Sequence, residues 1–167
     1  GRLRLPAALV AIISFMFQTQ VDDITADLSG GYGVVVTSNP TNPLTVEQLR
    51  DVEGVGAVAP LTYGFGEFTV GDADPQPWPL TGFGEELAAA PPALSDRGGF
   101  DSDVEAWRTV LADPGLIIVD EFFLSSGGGP PSGTPKVGDS FLIADPLTGV
   151  SREVTVAAWT ETDWLVN

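Results

Sequence analysis

Uncharged and charged positions divide the amino end of the chain into two segments. The thirteen residues from Leu5 to Phe17 carry no charge, and Arg2 and Arg4 precede them. As a helix they would extend only ~20 Å, whereas the hydrocarbon core of a bilayer is ~30 Å thick. Three interpretations remain open: the outer end of a truncated transmembrane helix, a signal peptide, or a buried helix. We expect the first, because the run passes into polar residues without a small-residue cleavage site.

Helical periodicity continues where the uncharged run stops. Apolar residues recur at spacings of four, three and four, which places them on one face of a helix: Phe17, Val21, Ile24 and Leu28. We call these four residues the stalk face. Ser29-Gly30-Gly31 then ends the pattern. We therefore predict a transmembrane end at residues 1–17 and an amphipathic stalk helix at residues 18–30, whose stalk face must pack on the following domain or on a neighbouring helix.

Positive charge near the membrane predicts the orientation. Both early arginines precede the apolar run, and no Lys or Arg lies between Phe17 and Leu49. Because cytoplasmic flanks are enriched in Lys and Arg, the amino side should be cytoplasmic. We expect the protein in the cell membrane, with the residues after about Phe17 extracytoplasmic.

The remainder, residues 31–167, alternates between strand and helix patterns. The β-branched run at 33–38 predicts a buried strand. Thr45 and Gln48 form a T-x-x-Q capping box that opens a helix, and Gly54 is placed to end it. Residues 57–63 and 65–70 follow as extended segments. The pattern predicts an α+β fold that begins with a compact β-α-β unit.

The middle of the chain is rich in proline and permits only short elements. Residues 71–99 contain five prolines, so we predict a strand near Trp78 to Thr81 and a helix near Glu85 to Ala90. The S-x-x-E pattern of Ser102 and Glu105 opens a second amphipathic helix.

Two further elements complete the predicted domain. Asp113-Pro114 ends the second helix, and the strand Leu116 to Val119 looks too apolar to lie at a sheet edge. A D-P-x-T-G turn at residues 145–149 joins strands at 140–144 and 152–158 into a carboxyl-terminal hairpin.

Composition excludes several classes of function. The chain has 23 acidic residues against 7 Lys plus Arg, a net charge of −16, and neither His nor Cys. Nucleic-acid binding is excluded because it needs clustered positive charge. Imidazole and thiolate metal sites are excluded as well, and so is the usual general base near neutral pH. We expect no cofactor and no enzymatic activity.

Acidic residues leave two weak candidates for chemistry. Asp101, Asp103 and Glu105 alternate as at the start of a calcium loop, but the glycine and glutamate that would complete such a loop are missing. Helix capping explains them better. Asp120 and Glu121 follow an apolar strand, where adjacent side chains point to opposite faces and cannot form a two-carboxylate site. We expect Asp120 to cap a short following helix.

Several segments resemble a known family when they are taken in order: SGGYGVVVTSNPTNPLT, VGAVAPL, LADPGLIIVDEFFL, KVGDSFLIADPLTG and REVTVAAW. They are similar to the FtsX-like permeases of ABC transporters, in the extracytoplasmic part called the MacB-like periplasmic core. The resemblance implies that the β-α-β unit is porter-like, that the Pro-rich middle is an inserted subdomain, and that a long amino-terminal helix precedes both. Residues 31–167 would form this core domain, incomplete at its carboxyl end.

The resemblance also implies partners and a role. A separate ABC ATP-binding subunit hydrolyses ATP, and a second permease half, identical or different, completes the transporter in membrane lipid. The domain would couple transmembrane motion to export or extraction of a lipophilic substrate, or to regulation of an envelope partner, with the stalk face as the coupling surface. The alternative is a secreted or membrane-anchored acidic module that binds carbohydrate or peptide, with Gly115 to Leu124 lining its groove. A hydrolase using Asp120 or Glu121 is the third candidate.

Overall fold

The structure, a computed structural model, describes the following residues: 32, 34, 36–38, 40–41, 43–69, 74–120, 123 and 136–160. Within these residues the fold is α+β, as the sequence predicts, with one five-stranded sheet and three short helices. The helices are α1 (Val46–Arg50), α2 (Glu85–Ala89) and α3 (Asp103–Ala112). The strands are β1 (Leu61–Thr69), β2 (Gln76–Phe83), β3 (Leu116–Asp120), β4 (Ser140–Ala144) and β5 (Ser151–Thr160).

The sheet has the order β2-β1-β4-β5-β3 and is curled. Every neighbouring pair is antiparallel except β3 and β5, which run parallel. The curl brings the two ends of the sheet close together: the ring of Trp78 on β2 lies 5.2 Å from the ring of Phe123, just past β3. The first and last strands thus meet through side chains.

The helix caps predicted from the sequence are confirmed. At α1, Thr45 accepts from the backbone N–H of Gln48, whose side chain accepts in return from the N–H of Thr45. At α3, the Ser102 side chain accepts from the N–H of Glu105 at 3.2 Å. The helix at Asp113 ends where the following proline disfavours helical backbone.

The carboxyl-terminal hairpin is also confirmed, and one side chain organises its turn. Asp145 accepts from the N–H of Leu147 at 2.8 Å and from the hydroxyl of Thr148 at 2.7 Å. Gly149 completes the turn with a φ of 71°, a backbone conformation that glycine adopts without steric cost.

The Pro-rich strand lies at an edge of the sheet, and this position explains its composition. Pro77 and Pro79 lie opposite Glu67 and Phe65 of β1. Because proline has no N–H, these two residues cannot donate to β1, so their backbone must face away from the sheet. The same prolines leave the outer edge of β2 poor in donors, which protects it from pairing with another strand.

Two buried clusters occupy the two faces of the sheet. The aromatic cluster lies inside the curl and consists of Phe68, Val119, Phe123, Phe141, Val154 and Val156. The helix cluster lies under α2 and α3 and consists of Leu87, Ala88, Leu94, Ala106, Trp107 and Ala158. Alternation along the strands assigns residues to the faces, so that Ile117 packs on the aromatic cluster and Ile118 on the helix cluster.

A bulge in β5 shifts this alternation by one residue. Ile117 pairs with Val156, but the next residue, Ile118, pairs with Ala158, so Ala157 is the extra residue. Gly98 approaches the bulge so closely that a Cβ on it would overlap the carbonyl oxygen of Ala157. Its φ of 60° likewise favours glycine.

The structure corrects three sequence-based predictions. The strand at Leu116–Asp120 lies at a sheet edge and not in the centre, and it is apolar because clusters pack on both of its faces. The predicted segments at 57–63 and 65–70 are replaced by one strand, Leu61–Thr69, which runs through Gly64, and residues 57–60 have no strand structure.

The third correction concerns the porter-like β-α-β unit. Val34 and residues 36–38 have no strand structure, so the unit is not formed among the residues described there. No residue of α1 is buried, and Val34 and Val36 are exposed.

The predicted amino-terminal helix, residues 1–30, lies outside the described residues. Within the described part of the chain, no helix has both the length and the apolar character needed to span a bilayer.

Candidate functional site

A cavity of about 300 Å³ lies in the gap between the edge strands β2 and β3. Its walls come from β2 (Trp78 to Phe83), β3 (Leu116 to Asp120) and one face of α3, together with the rings of Phe68 and Phe123. The cavity therefore occupies the seam where the curled sheet does not close by hydrogen bonding. It borders both clusters, with the aromatic cluster on one side and the helix cluster on the other.

Aromatic rings form the inner wall. The ring of Phe123 lies 5.3 Å from that of Phe68, 5.7 Å from that of Phe141 and 5.2 Å from that of Trp78. The contact with Trp78 is edge-to-face, at 75°, an arrangement that aromatic pairs favour. Phe123 thus joins rings from β1, β2 and β4 and holds the two ends of the sheet together.

A buried carboxylate fixes the position of Phe123. The Oδ1 atom of Asp120 accepts a hydrogen bond from the backbone N–H of Phe123 at 2.6 Å, three residues further along the chain. This is the contact of a capping residue, as the sequence predicts for Asp120. Asp120 is 7% exposed and lies at the cavity wall. This hydrogen bond to the backbone gives the Asp120 carboxylate a structural role.

Helix α3 forms the outer wall and is anchored by Trp107. The indole N–H of Trp107 donates to the carbonyl oxygen of Pro92 at 3.1 Å, and its ring meets that of Phe83 edge-to-face with centroids 4.8 Å apart. Val110 and Leu111 line the cavity one turn further along the helix. Trp107 is 1% exposed, so its ring packs fully between the helix and the segment that it binds.

The lining of the cavity is mainly apolar. Aliphatic and aromatic side chains dominate it, with Asp120 and Thr81 as polar members. A volume near 300 Å³ is at the lower end of the range for small-molecule pockets. It would accommodate one ring system or a short acyl segment. Among the described residues, no three acidic, His or Cys side chains converge on a possible metal position.

The structure also shows where the candidate acidic residues lie. Asp103 forms an ion pair with Arg97 at 2.6 Å, and a Glu105 oxygen accepts from the N–H of Asp101 at 2.9 Å. Both contacts belong to the start of α3, which agrees with capping. Glu121, and all four residues of the stalk face, lie outside the described residues.

Sequence patterns did not reveal the cavity itself. Trp78 and Leu80 are more than forty residues from Phe123 in the sequence, and the convergence of the two regions depends on the strand order and the curl of the sheet. One signal could have indicated the place: the alternation of Pro77 and Pro79 with Trp78 and Leu80 identifies an edge strand with one apolar face. Together with the buried strand at Leu116–Asp120, it marks the two sides of the gap.

No protein-family model, no curated protein and no solved structure matches this chain. Its function must therefore be inferred from its own residues and their arrangement.

Proposed function

We propose that the chain is the extracytoplasmic domain of an ABC transporter permease and that its cavity receives part of a lipophilic substrate. The observation that carries the proposal is the apolar cavity at the open seam of the sheet, between Trp78 and Leu80 on one side and Ile117 and Val119 on the other. In this proposal the domain has no catalytic residue. An ABC ATP-binding subunit supplies the energy, and a second permease half completes the transporter.

The geometry of the seam supports access for a ligand. Hydrogen bonds between neighbouring strands hold the sheet together, but β2 and β3 are not neighbours in it. Moving β2 away from β3 would separate the rings of Trp78 and Phe123 without breaking a strand ladder. Such a movement costs less than opening a paired sheet, because no backbone hydrogen bond has to be given up.

In this proposal each part of the chain has a place in the transporter. The Pro-rich middle and the helix that carries Trp107 would belong to an inserted subdomain, and residues 1–30 to the membrane end and stalk. Exposed apolar side chains after α1, among them Val52 and Val55, would then contact other parts of the permease. ATP-driven tilting of the stalk would move the domain outside the membrane.

Filling the cavity tests its role directly. Leu80 is a half-buried strand residue that faces the aromatic cluster and lines the cavity. Leu80→Trp should lower the affinity of the full-length protein for the apolar dye N-phenyl-1-naphthylamine at least about tenfold, equivalent to ~1.4 kcal/mol. The dye should be excited directly, so that added tryptophan does not contribute to the signal.

The matched control is Leu142→Trp, which places the same ring on another strand, at a position that is 46% exposed and is not part of the cavity wall. It should leave dye binding unchanged. Equal affinities for the two variants would exclude the cavity as the binding site.

Transport requires a second measurement. In reconstituted membranes that contain the ATP-binding subunit, Val21→Asp combined with Ile24→Asp should abolish ATP-dependent movement of the dye while ATP hydrolysis continues. The stalk face would then no longer transmit motion. Normal transport by this variant would remove the coupling role, and the absence of any ATP-dependent movement with the unmodified protein would remove the transporter proposal.

One observation favours a second candidate, an acidic module that binds peptide. Strand β3 lies at the sheet edge and lines the cavity, and its Ile118 should direct backbone N–H and C=O groups away from β5, because the carbonyl of Gly115 faces β5. An extended peptide could pair with these groups. Binding of an apolar peptide that Leu80→Trp abolishes, with no dye binding and no transport, would favour this candidate.

A further inference from the structure

Strand β1 carries two exposed aromatic side chains just beyond the helix cluster. Leu61, Tyr63 and Phe65 project from the same face of the sheet, because side chains alternate along a strand. Leu61 packs on the helix cluster, but Tyr63 is 56% exposed and Phe65 is 71% exposed. Pro79 of β2 lies directly opposite Phe65. We call Tyr63, Phe65 and Pro79 the β1 apolar strip.

The amino-terminal part of the chain reaches the domain on this same face. Tyr32 packs on the helix cluster, and its hydroxyl donates to the carbonyl oxygen of Ala90 at 3.2 Å. Burial raises the pKa of Tyr32 above its ordinary value. The residues that precede Tyr32 therefore start from the face of the sheet that carries the β1 apolar strip.

We infer that the β1 apolar strip is the docking surface of the stalk face, Phe17, Val21, Ile24 and Leu28. The inference rests on the proposed function in one respect, namely that residues 18–30 form the stalk helix. The inference adds that the stalk contacts the domain at β1, and hence that β1 would receive the motion of the stalk.

The stalk face is long enough to reach the β1 apolar strip. Leu28 precedes Tyr32 by four residues, so its Cα lies within about 14 Å of that of Tyr32 in any conformation. From Leu61, where β1 packs on the helix cluster, to Phe65 at the far end of the strip, the strand extends about 14 Å. A helix from Phe17 to Leu28 extends about 16 Å. A stalk that starts beside the helix cluster can therefore cover the strip along its full length.

Charge favours this occupant over a second copy of the chain or an anionic membrane surface. The net charge of −16 repels both of these. The stalk face is uncharged, and helical periodicity places Asp22, Asp23 and Asp27 on other sides of the stalk. Two uncharged surfaces of one chain can meet here, and Glu67, which projects from the same face of β1 two residues beyond Phe65, lies at the end of the contact.

The absence of cysteine from the sequence permits a clean test. A disulfide forms only when the two Cα atoms approach within about 7 Å. In the full-length protein, Val21→Cys with Phe65→Cys, and Ile24→Cys with Tyr63→Cys, should form intramolecular disulfides under mild oxidation in most molecules. Non-reducing electrophoresis after proteolysis between the two sites would measure the yield.

Two control pairs share one cysteine with the first test pair. Asp22→Cys with Phe65→Cys moves the first cysteine to another side of the stalk. Val21→Cys with Thr62→Cys moves the second to an exposed residue on the opposite face of β1. Yields at least fivefold lower in both controls are expected. Equal yields in all pairs, no disulfide in either test pair, or disulfides only between two copies would overturn the inference.

Hydrogen exchange provides a readout that does not depend on disulfide formation. Phe65→Asp should accelerate amide exchange in residues 18–28 at least tenfold, and Thr62→Asp should not, because it lies on the other face. Unchanged exchange in Phe65→Asp would contradict the docking. Both measurements are made without ATP or substrate, so a protein that docks its stalk but does not transport refutes only the proposed function. Transport without docking refutes only this inference.

Discussion

The aromatic cluster and the helix cluster lie on opposite faces of one sheet but are held together in different ways. Beside the helix cluster, side chains bond to the backbone of a neighbouring segment: Trp107 to the carbonyl of Pro92, and the buried Thr160 of β5 to the carbonyl of Ala93 at 3.1 Å. An isolated bridge between Asp96 and Trp159 adds backbone bonds to the same segment. In the aromatic cluster, rings from several strands contact one another.

This difference predicts which part of the domain can move. Hydrogen bonds join the segments around the helix cluster, so we expect these segments to stay together. No strand ladder joins β2 to β3, where Trp78 and Phe123 meet through their rings, so we expect the strands to separate first at this seam. The substrate cavity that we propose lies between the aromatic cluster and the helix cluster.

The largest expected effect on stability comes from removing the Trp107 side chain at the centre of the helix cluster. Trp107→Ala removes a fully buried ring and leaves the carbonyl of Pro92 without its donor, so we expect a loss of about 3–5 kcal/mol in the free energy of unfolding. Urea denaturation measures this loss. Trp107→Phe keeps most of the ring and should cost only about 1–3 kcal/mol, mainly the unpaired carbonyl. Equal losses for the two variants would show that the hydrogen bond, and not the packing, dominates.

A second prediction concerns the close contact between Gly98 and the bulge in β5. In Gly98→Ala the new Cβ would overlap the backbone carbonyl of Ala157, and neither segment can yield. We expect it to destabilise by about 1–3 kcal/mol more than Gly99→Ala. Gly99 is the matched control, since it also has a positive φ, 95°, but open space around its Cβ position. Similar midpoints in urea would mean that backbone strain alone matters there.

At the aromatic cluster a new Cβ would meet side chains and not backbone. In Gly66→Ala the Cβ would lie 2.8 Å from Leu80 Cδ1 and 2.9 Å from Ile143 Cγ2. Leu80 Cδ1 is the end of a side chain that can rotate away, whereas Ile143 Cγ2 is attached to a branched Cβ and moves only with χ1. We therefore expect a loss of about 1 kcal/mol relative to Gly64→Ala, whose Cβ meets nothing. A loss as large as that of Gly98→Ala would contradict the proposed difference between the faces.

Local patterns in the sequence predicted the elements that depend on neighbouring residues. The capping box at Thr45, the cap at Ser102 and the turn at Asp145 each depend on residues two to four positions apart. The hydrogen bonds that form them lie within a short stretch of chain, so the residue types and their spacing were sufficient to predict them. The starts of α1 and α3 and the position of the hairpin were therefore predicted correctly, whereas α1 ends at Arg50 and not at Gly54 as predicted.

Position within the sheet was harder to predict, because it depends on distant partners. The apolar run at Leu116–Asp120 suggested a central strand, yet its coverage comes from residues far away in the sequence, including Phe68 and Trp107. The cavity was unpredictable for the same reason, since it exists only once β2 and β3 face each other. The exposed Val34 shows the converse case, in which an apolar β-branched run does not form a strand in the described residues.

The smallest expected effect distinguishes the two faces by pH. Hydrogen bonds from the Thr148 hydroxyl and the Leu147 N–H hold the pKa of Asp145 below its ordinary value. A carboxyl group whose pKa is lower in the folded state stabilises the fold above its unfolded pKa, about 3.9, and this contribution is lost as the pH falls through the folded pKa. Asp145 closes the hairpin that brings Phe141 into the aromatic cluster. Acid should therefore accelerate amide exchange in β4 before it affects α3.

Nuclear magnetic resonance can follow both the carboxyl carbon of Asp145 and the exchange of the strand amides in one titration. Thr148→Val removes the first of the two hydrogen bonds and should raise the pKa of Asp145 toward its ordinary value, and it should reduce the acid sensitivity of β4. The exposed position of Asp145 in the turn keeps the effect small, because water screens and solvates the carboxylate in both states. If acid instead loosened α3 first, the helix cluster would be the weaker face, and the cavity would open from its outer wall.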